Sequence, residues 1–255
     1  IASGGNYNVT VGDEAGTAIT TGDANTLVGY QAGLVSATGG RLTAIGYQAG
    51  KSQVATSGSQ NVFVGNEAGF TNTTGVTNTF VGGSSGGANT TGSNNVAVGQ
   101  AALDANTTAS SNTAVGVDAL GANTTGASNT AVGYQAGLAN TTGTPTTAFG
   151  YQALKANTTG TNNCAFGQGT LQTNITGTTN SAFGTLALSA NTGTGNSAVG
   201  YASLLTNIGG ANNVAMGVSA LRLSTTASNN TAVGYQAGDA ITTGPNNTTL
   251  GYTAG

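Results

Sequence analysis

Few side chains in this 255-residue chain could carry out acid–base, nucleophilic or metal chemistry. Histidine is absent and Cys164 is the only cysteine, so a Ser-His-Asp triad, a Cys-His pair and a zinc site of His and Cys cannot be assembled. Paired carboxylates are the remaining option for catalysis. The acidic residues are Asp13, Glu14, Asp23, Glu67, Asp104, Asp118 and Asp239.

The spacing of these carboxylates argues against a catalytic pair. Glu67 occupies the same repeat position as Glu14, three repeats later. Coils stacked about 4.8 Å apart would hold the two groups farther apart than glycosidase carboxylates. We interpret the acids as solvated surface groups, and the sequence predicts no enzyme activity and no cofactor. Calcium-binding β-rolls carry an Asp in every repeat, and this chain lacks that Asp. A single calcium ion bound near Asp13 and Glu14 is the one calcium site that the sequence leaves open.

The composition also excludes two classes of partner. Charged residues make up 4% of the chain, and four Lys and Arg cannot form the basic stripe of a nucleic-acid binder or a cluster that holds anionic lipid. No apolar stretch approaches the roughly 20 residues that span a bilayer. We therefore expect no nucleic-acid partner and no membrane insertion. Cys164 shares its repeat position with Thr, Val and Ser, which favours a small buried side chain over a reactive thiol.

A repeat of seventeen residues organises the whole chain. In each copy of the repeat a glycine follows a short apolar segment. Twelve of the fourteen intervals between these glycines are seventeen residues long. A fixed short period predicts a stacked array. We predict an all-β fold, a single-stranded parallel β-solenoid of the β-roll or β-helix type, with one coil per 17 residues and about 15 coils. Residues 1–255 are expected to form one array, with irregular intervals at 46–65 and 184–200, inside a longer fibre or filament.

The residue before each glycine is always large and apolar, and we predict that this column is the solenoid core. Residues two positions earlier are expected on the same face of the strand. The predicted core column comprises Val28, Ile45, Val98, Val115, Val132, Phe149, Phe166, Phe183, Val199, Met216 and Val233.

The position between those two columns is mostly Ala, where a half-exposed strand would carry polar residues. A sheet that is apolar on both faces is usually covered on both faces. We therefore predict that this second column contacts another chain. The predicted interchain face comprises Ala97, Ala114, Ala131, Ala148, Ala165, Ala182, Ala198, Ala215 and Ala232.

Asparagine begins nearly every repeat, and stacked Asn side chains can hydrogen-bond along the axis of a solenoid. The predicted ladder comprises Asn95, Asn112, Asn129, Asn163, Asn180, Asn196, Asn213 and Asn230. Triplets such as Asn106-Thr107-Thr108 also match the N-glycosylation pattern, and we favour the structural interpretation because the repeat itself generates the triplet.

Three variants of the repeat are NTAVGYQAGLANTTG, NSAVGYASLLTN and NNVAVGQAALDANTT. These segments resemble the repeats of phage tail-fibre and tail-fibre-domain proteins. Thr43-Ala44-Ile45-Gly46 is similar, more distantly, to the "xAIG" segment of trimeric autotransporter (YadA-like) adhesin heads. The resemblance implies a homotrimer of β-solenoids, an extracellular or virion-surface location and a fibre or adhesin function, and it supplies no catalytic residues.

We therefore expect a structural or adhesive extracellular fibre segment, with a cell-surface receptor or glycan as a possible ligand. One alternative is a subunit of a self-assembling head-to-tail filament, because the period nearly continues from Gly251 to Gly12. Another is an ice-binding or other ligand-binding solenoid, since pairs such as Thr141-Thr142 would form stacked Thr columns. The flat TxT spacing of ice-binding faces is lacking, because adjacent residues of an extended strand point to opposite sides.

Overall fold

A computed structural model describes residues 5–54 and 58–255, so residues 55–57 of the longer interval lie outside the described part. The chain divides into two compact units, Ile1–Ser128 and Asn129–Gly255. In the first unit the strands are β1 (Val9–Val11), β2 (Thr26–Val28), β3 (Thr43–Ile45), β4 (Val62–Val64), β5 (Thr79–Val81), β6 (Val96–Val98) and β7 (Thr113–Val115). In the second they are β8 (Thr130–Val132), β9 (Thr146–Phe149), β10 (Asn163–Phe166), β11 (Ser181–Phe183), β12 (Ser197–Val199), β13 (Val214–Met216), β14 (Thr231–Val233) and β15 (Thr248–Leu250).

Within each unit every strand pairs in parallel with the next strand along the chain, and equivalent residues are aligned. In β10, for example, Ala165 pairs with Ala148 on one side and with Ala182 on the other. One strand per repeat and a parallel ladder in chain order define a single-stranded β-solenoid. The predicted fold class and the seventeen-residue coil are confirmed.

The glycine that ends each strand is required by close stacking as well as by its backbone angle. Gly150 has a φ of 137°, outside the regions that L-residues favour. A Cβ atom placed on Gly150 would lie 2.6 Å from the carbonyl oxygen of Gly167 in the next coil. A side chain at this corner would therefore push neighbouring coils apart, which explains why the sequence repeats glycine at this position.

The half of the coil that follows the corner is a series of turns, not the second extended segment that the repeat pattern suggests. After Gly133 the amides of Ala136 and Asn140 donate to the carbonyls of Gly133 and Gly137, at 3.2 and 3.0 Å. Gln135 and Gly137 both have a left-handed backbone, with φ of 54° and 60°. The chain reverses within seven residues, and the solenoid interior is correspondingly narrow.

The predicted Asn ladder runs inside the coils. Asn163 Oδ1 accepts hydrogen bonds from the backbone amide of Asn180 at 3.0 Å and from its Nδ2 at 3.2 Å. Asn180 Nδ2 also donates to the carbonyl of Gly193 at 2.9 Å. The eight predicted ladder residues are all buried. Their amides thus satisfy the polar groups of a corner that water does not reach.

A second, equally buried Asn ladder lies seven residues after the corner glycines of nine consecutive coils, from Asn72 to Asn207. Asn174 Nδ2 donates to Asn157 Oδ1 at 2.9 Å and to the carbonyl of Gly177 at 3.0 Å. This ladder ends where the sequence changes to serine. At Ser224 the hydroxyl has no hydrogen-bond partner, and Asn207 Oδ1 in the preceding coil has none either.

In the apolar interior, a large side chain at one of two facing positions is paired with a small residue at the other. Every Leu four positions after a corner accompanies a middle Ala, as Leu171 accompanies Ala165, whereas Ala44, Ala131 and Ala232 pair with Gly at that position. Where the middle residue is Phe80, that later position is Gly86, whose added Cβ would lie 2.5 Å from the Phe80 ring. The buried Leu residues have a left-handed backbone, with a φ of 50° at Leu171. Burying a Leu side chain contributes about 1.5–3 kcal/mol, comparable to the about 1–3 kcal/mol of such strain.

Replacing Ser224 with Asn should extend the second ladder by one coil. The new amide would donate to Asn207 Oδ1. Asn106 is an Asn at the equivalent position of an earlier coil, and it is followed three residues later by Ala109, as Ser224 is by Ala227, so Asn fits beside Ala at this corner. We expect the free energy of unfolding to rise by about 1 kcal/mol, measured by guanidinium unfolding. The exposed Thr226→Asn is the matched control and should have no effect; a loss of stability in S224N would refute the ladder extension.

A double-mutant cycle at Phe80 and Gly86 tests the reciprocal packing. Phe80→Ala leaves a cavity and Gly86→Leu clashes with the ring, so each alone should destabilise by about 2–5 kcal/mol. Leu is tolerated at this backbone angle, as Leu103 has a φ of 56°. The double variant recreates an Ala–Leu coil and should recover about 1–3 kcal/mol as coupling energy. If the two single losses of unfolding free energy, measured by denaturant unfolding, simply add in the double variant, the two side chains do not occupy the same space.

Candidate interaction face

The residues that precede the corner glycines point outward, which reverses the predicted core assignment. Phe149, Phe183 and Met216 are 47%, 42% and 46% exposed. Of the predicted core column, Ile45, Val98, Phe149, Phe166, Phe183, Val199 and Met216 are exposed, and Val28, Val115, Val132 and Val233 are half-buried. We call the residues immediately before the corner glycines the outer apolar column.

The Ala column lies inside its own chain and therefore cannot contact another. The nine residues predicted for the interchain face, Ala97, Ala114, Ala131, Ala148, Ala165, Ala182, Ala198, Ala215 and Ala232, are all 0–1% exposed. The cause is the narrow coil. The turn segment brings a second Ala column and the Leu or Gly position close to the sheet, and a middle residue larger than Ala fits only where that position is Gly.

Three consecutive phenylalanines make one part of the outer apolar column larger than the rest. Phe149 and Phe166 stack with ring centroids 5.6 Å apart, and Phe166 and Phe183 stack at 5.3 Å. The other residues of this column in the second unit are Val132, Val199, Met216, Val233 and Leu250. We call Phe149, Phe166 and Phe183 the Phe cluster.

Exposed tyrosines follow several corner glycines, next to the outer apolar column. Tyr134 and Tyr151 stack with centroids 5.4 Å apart and an interplanar angle of 15°, so each covers a face of the other. Gln152 Nε2 donates to Gln135 Oε1 at 3.1 Å beside them. Stacking thus covers one face of each ring, while both residues stay 43–49% exposed.

Cys164 lies on the outward side of β10, two residues before Phe166. The side chain is half-buried, not fully buried as its repeat position suggests, and it is in the reduced form. Burial raises the pKa of the Cys164 thiol, and a raised pKa lowers the thiolate fraction at neutral pH. The thiol is thus a weak nucleophile, and Thr147 and Ser181 are its aligned neighbours on the adjacent strands.

The acidic residues are dispersed among surface hydrogen bonds. Glu14 Oε2 accepts from Gln31 Nε2 at 2.5 Å, and Arg222 forms a bidentate ion pair with Asp239 at 3.0–3.1 Å. Burial, and then the charge of Asp118, raise the pKa of Asp104. Within the described residues no group of three or more His, Cys, Asp or Glu side chains is placed to hold a metal ion.

The Asn-Thr-Thr segment is largely engaged within the fold. Asn106 is fully buried and its Nδ2 donates to Asn89 Oδ1 at 2.8 Å, so its amide is inaccessible to glycosylation in the folded chain. Thr90 Oγ1 donates to the carbonyl of Thr107 at 2.9 Å. Equivalent bonds at Thr73, Thr141 and Thr158 tie successive coils together. The first Thr of each pair therefore stabilises stacking and does not offer a free hydroxyl donor, which weakens the ice-binding alternative.

The sequence reasoning found the two alternating columns of each strand but assigned them to the wrong sides. It did not identify the second Asn ladder as buried, although Asn recurs at that position in nine consecutive repeats, from Asn72 to Asn207. Comparisons with protein-family models, with curated proteins and with solved structures find no match to this chain. Among residues 5–54 and 58–255 there is no helix with the length and hydrophobicity needed to cross a membrane.

Proposed function

We propose that this chain is a structural, adhesive segment of an extracellular or virion-surface fibre, and that copies of it associate through the outer apolar column. The observation that supports this proposal best is the unbroken column of large apolar side chains on the outside of the solenoid. Such residues normally lie inside a protein or at an interface. No catalytic role is proposed for any residue.

The apolar surface in the second unit alone has the size of an interface. With about 200 Å² for each large aromatic side chain, the exposed fractions of the Phe cluster and of Tyr134, Tyr151, Tyr201, Tyr235 and Tyr252 correspond to roughly 800 Å². Stable protein–protein interfaces bury about 800 Å² on each partner, whereas the largest patch of a typical monomer is about 300–600 Å².

The chemistry of this face fits a second copy of the same chain. The strand residues that point outward are Val, Thr, Ser, Cys, Phe, Met, Ile and Leu, so no charge opposes contact between identical surfaces. The face repeats at the strand spacing of about 4.8 Å. A surface with the same spacing interdigitates with it over the whole length, and another copy provides that surface.

The resemblance of the repeats to tail-fibre and YadA-like adhesin repeats favours three copies around a common axis. In that arrangement the outer apolar columns face the axis, and the turn side of each coil faces solvent. Binding to a cell-surface receptor or glycan would then use surfaces other than the outer apolar column.

Native mass spectrometry and analytical ultracentrifugation of the chain test this proposal. We expect a discrete oligomer, with a trimer as the first expectation. Phe166→Asp should weaken association at least tenfold, because it places a charge in an apolar interface, while the circular dichroism spectrum of the fold is retained. Thr176→Asp, an exposed position on the turn side, is the matched control and should leave the mass unchanged.

The neighbouring Ala165→Asp separates assembly from folding. Ala165 is fully buried, so this variant should lose the folded spectrum, in contrast to F166D. A monomer at every concentration would refute the proposed assembly. A series of masses that grows without limit would instead favour the head-to-tail filament.

A further inference from the structure

We propose that the Phe cluster sets the axial alignment of the associated copies, so that each chain packs its three rings against the same three rings of its neighbours. This inference rests on the proposed self-association through the outer apolar column. It names the residues that decide how the copies align along the solenoid axis.

The repeat creates an alignment problem for any such assembly. Sliding one copy by a single coil, about 4.8 Å, brings nearly the same outward surface into contact. Weakly specified registers are prone to slippage. Alignment must therefore depend on residues that differ from coil to coil.

The Phe cluster is the most distinct feature of the outer apolar column. The strands before and after it end in Val132 and Val199, whereas three consecutive coils carry exposed rings at 37–47% exposure. The rings form one continuous stack, with centroids 5.3–5.6 Å apart and interplanar angles of 9–13°. A stack three coils long protrudes beyond the valines on both sides, and its ends mark a fixed position along the axis.

A slipped pair of copies loses contact at both ends of this stack. With aligned copies, all three ring layers face ring layers. After a slip of one coil, two ring layers remain matched, and at each end one Phe of one copy faces a Val of the other, so the packing is mismatched at both ends. Aromatic pairs at interfaces also contribute more than their buried area alone.

The only methionine of the chain provides a reporter that needs no substitution. Met216 belongs to the outer apolar column and is 46% exposed, two coils beyond Phe183. In aligned copies its methyl group faces the Met216 position of a neighbour, and in slipped copies it faces Val199 or Val233. Its methyl chemical shift therefore distinguishes the registers.

The experiment uses the full chain labelled with ¹³C-methyl methionine, observed by methyl NMR, with native mass spectrometry in parallel. The unmodified chain should give one Met216 methyl signal in an oligomer of discrete mass. The triple variant F149V/F166V/F183V should keep the oligomeric mass, because Val occupies this column elsewhere, but it should give several methyl signals. The control I175T/I208T removes two exposed apolar side chains on the turn side, where Thr141 and Thr158 occupy the equivalent positions, and it should keep a single signal.

Each outcome decides the inference. A single unchanged signal in the Phe variant would show that the cluster does not set the register, while the oligomer itself still supports the proposed function. Several signals in the unmodified chain, or in the turn-side control, would also overturn it. A monomeric unmodified chain would refute the proposed assembly and this inference together.

Discussion

The close stacking of coils through the corner glycines is the constraint on which the other features depend. At each corner the backbones of successive coils approach so closely that a Cβ atom on Gly150 would lie 2.6 Å from the Gly167 carbonyl oxygen. Parallel pairing at about 4.8 Å requires this approach. Once the corner is fixed, every residue is placed beside its equivalent in the next coil. Chemical properties therefore accumulate in columns.

Stacking also determines what the interior can contain. A coil of seventeen residues with one three- or four-residue strand encloses little space, so Ala and a single Leu or Phe fill it. The remaining interior positions are polar, and two Asn ladders satisfy the backbone groups of the corner opposite the corner glycines, where Asn163 and Asn174 both donate to the carbonyl of Gly177. Buried amides are stable here because each one donates and accepts along the axis and to its own turn. The two buried atoms without partners near Ser224 occur where this rule is interrupted.

The narrow interior has a direct consequence for the surface. Large apolar residues that do not fit inside the coil occupy the outward side of the strand, where they form the outer apolar column. Along the axis each coil is covered by the next coil of the same chain. In the perpendicular direction no part of residues 5–54 and 58–255 covers the outer apolar column, and this asymmetry underlies the proposed association of copies.

The sequence alone determined the period, the all-β solenoid and the Asn ladder at the start of each repeat. These follow from local chemistry, because Gly at a φ near 130° and Asn at a corner leave few alternatives. The sequence also separated Ala165 from Phe166 as opposite faces of one strand, since side chains alternate with period two. It could not decide which face is inside.

Only the tertiary structure decided that question. The answer depends on how closely the turn segment approaches the sheet, which is set by left-handed residues such as Gln135 and Leu171 that local preference does not predict. Because that approach leaves room for an Ala and a Leu but not for a Phe and a Leu, Ala165 lies inside and Phe166 lies outside.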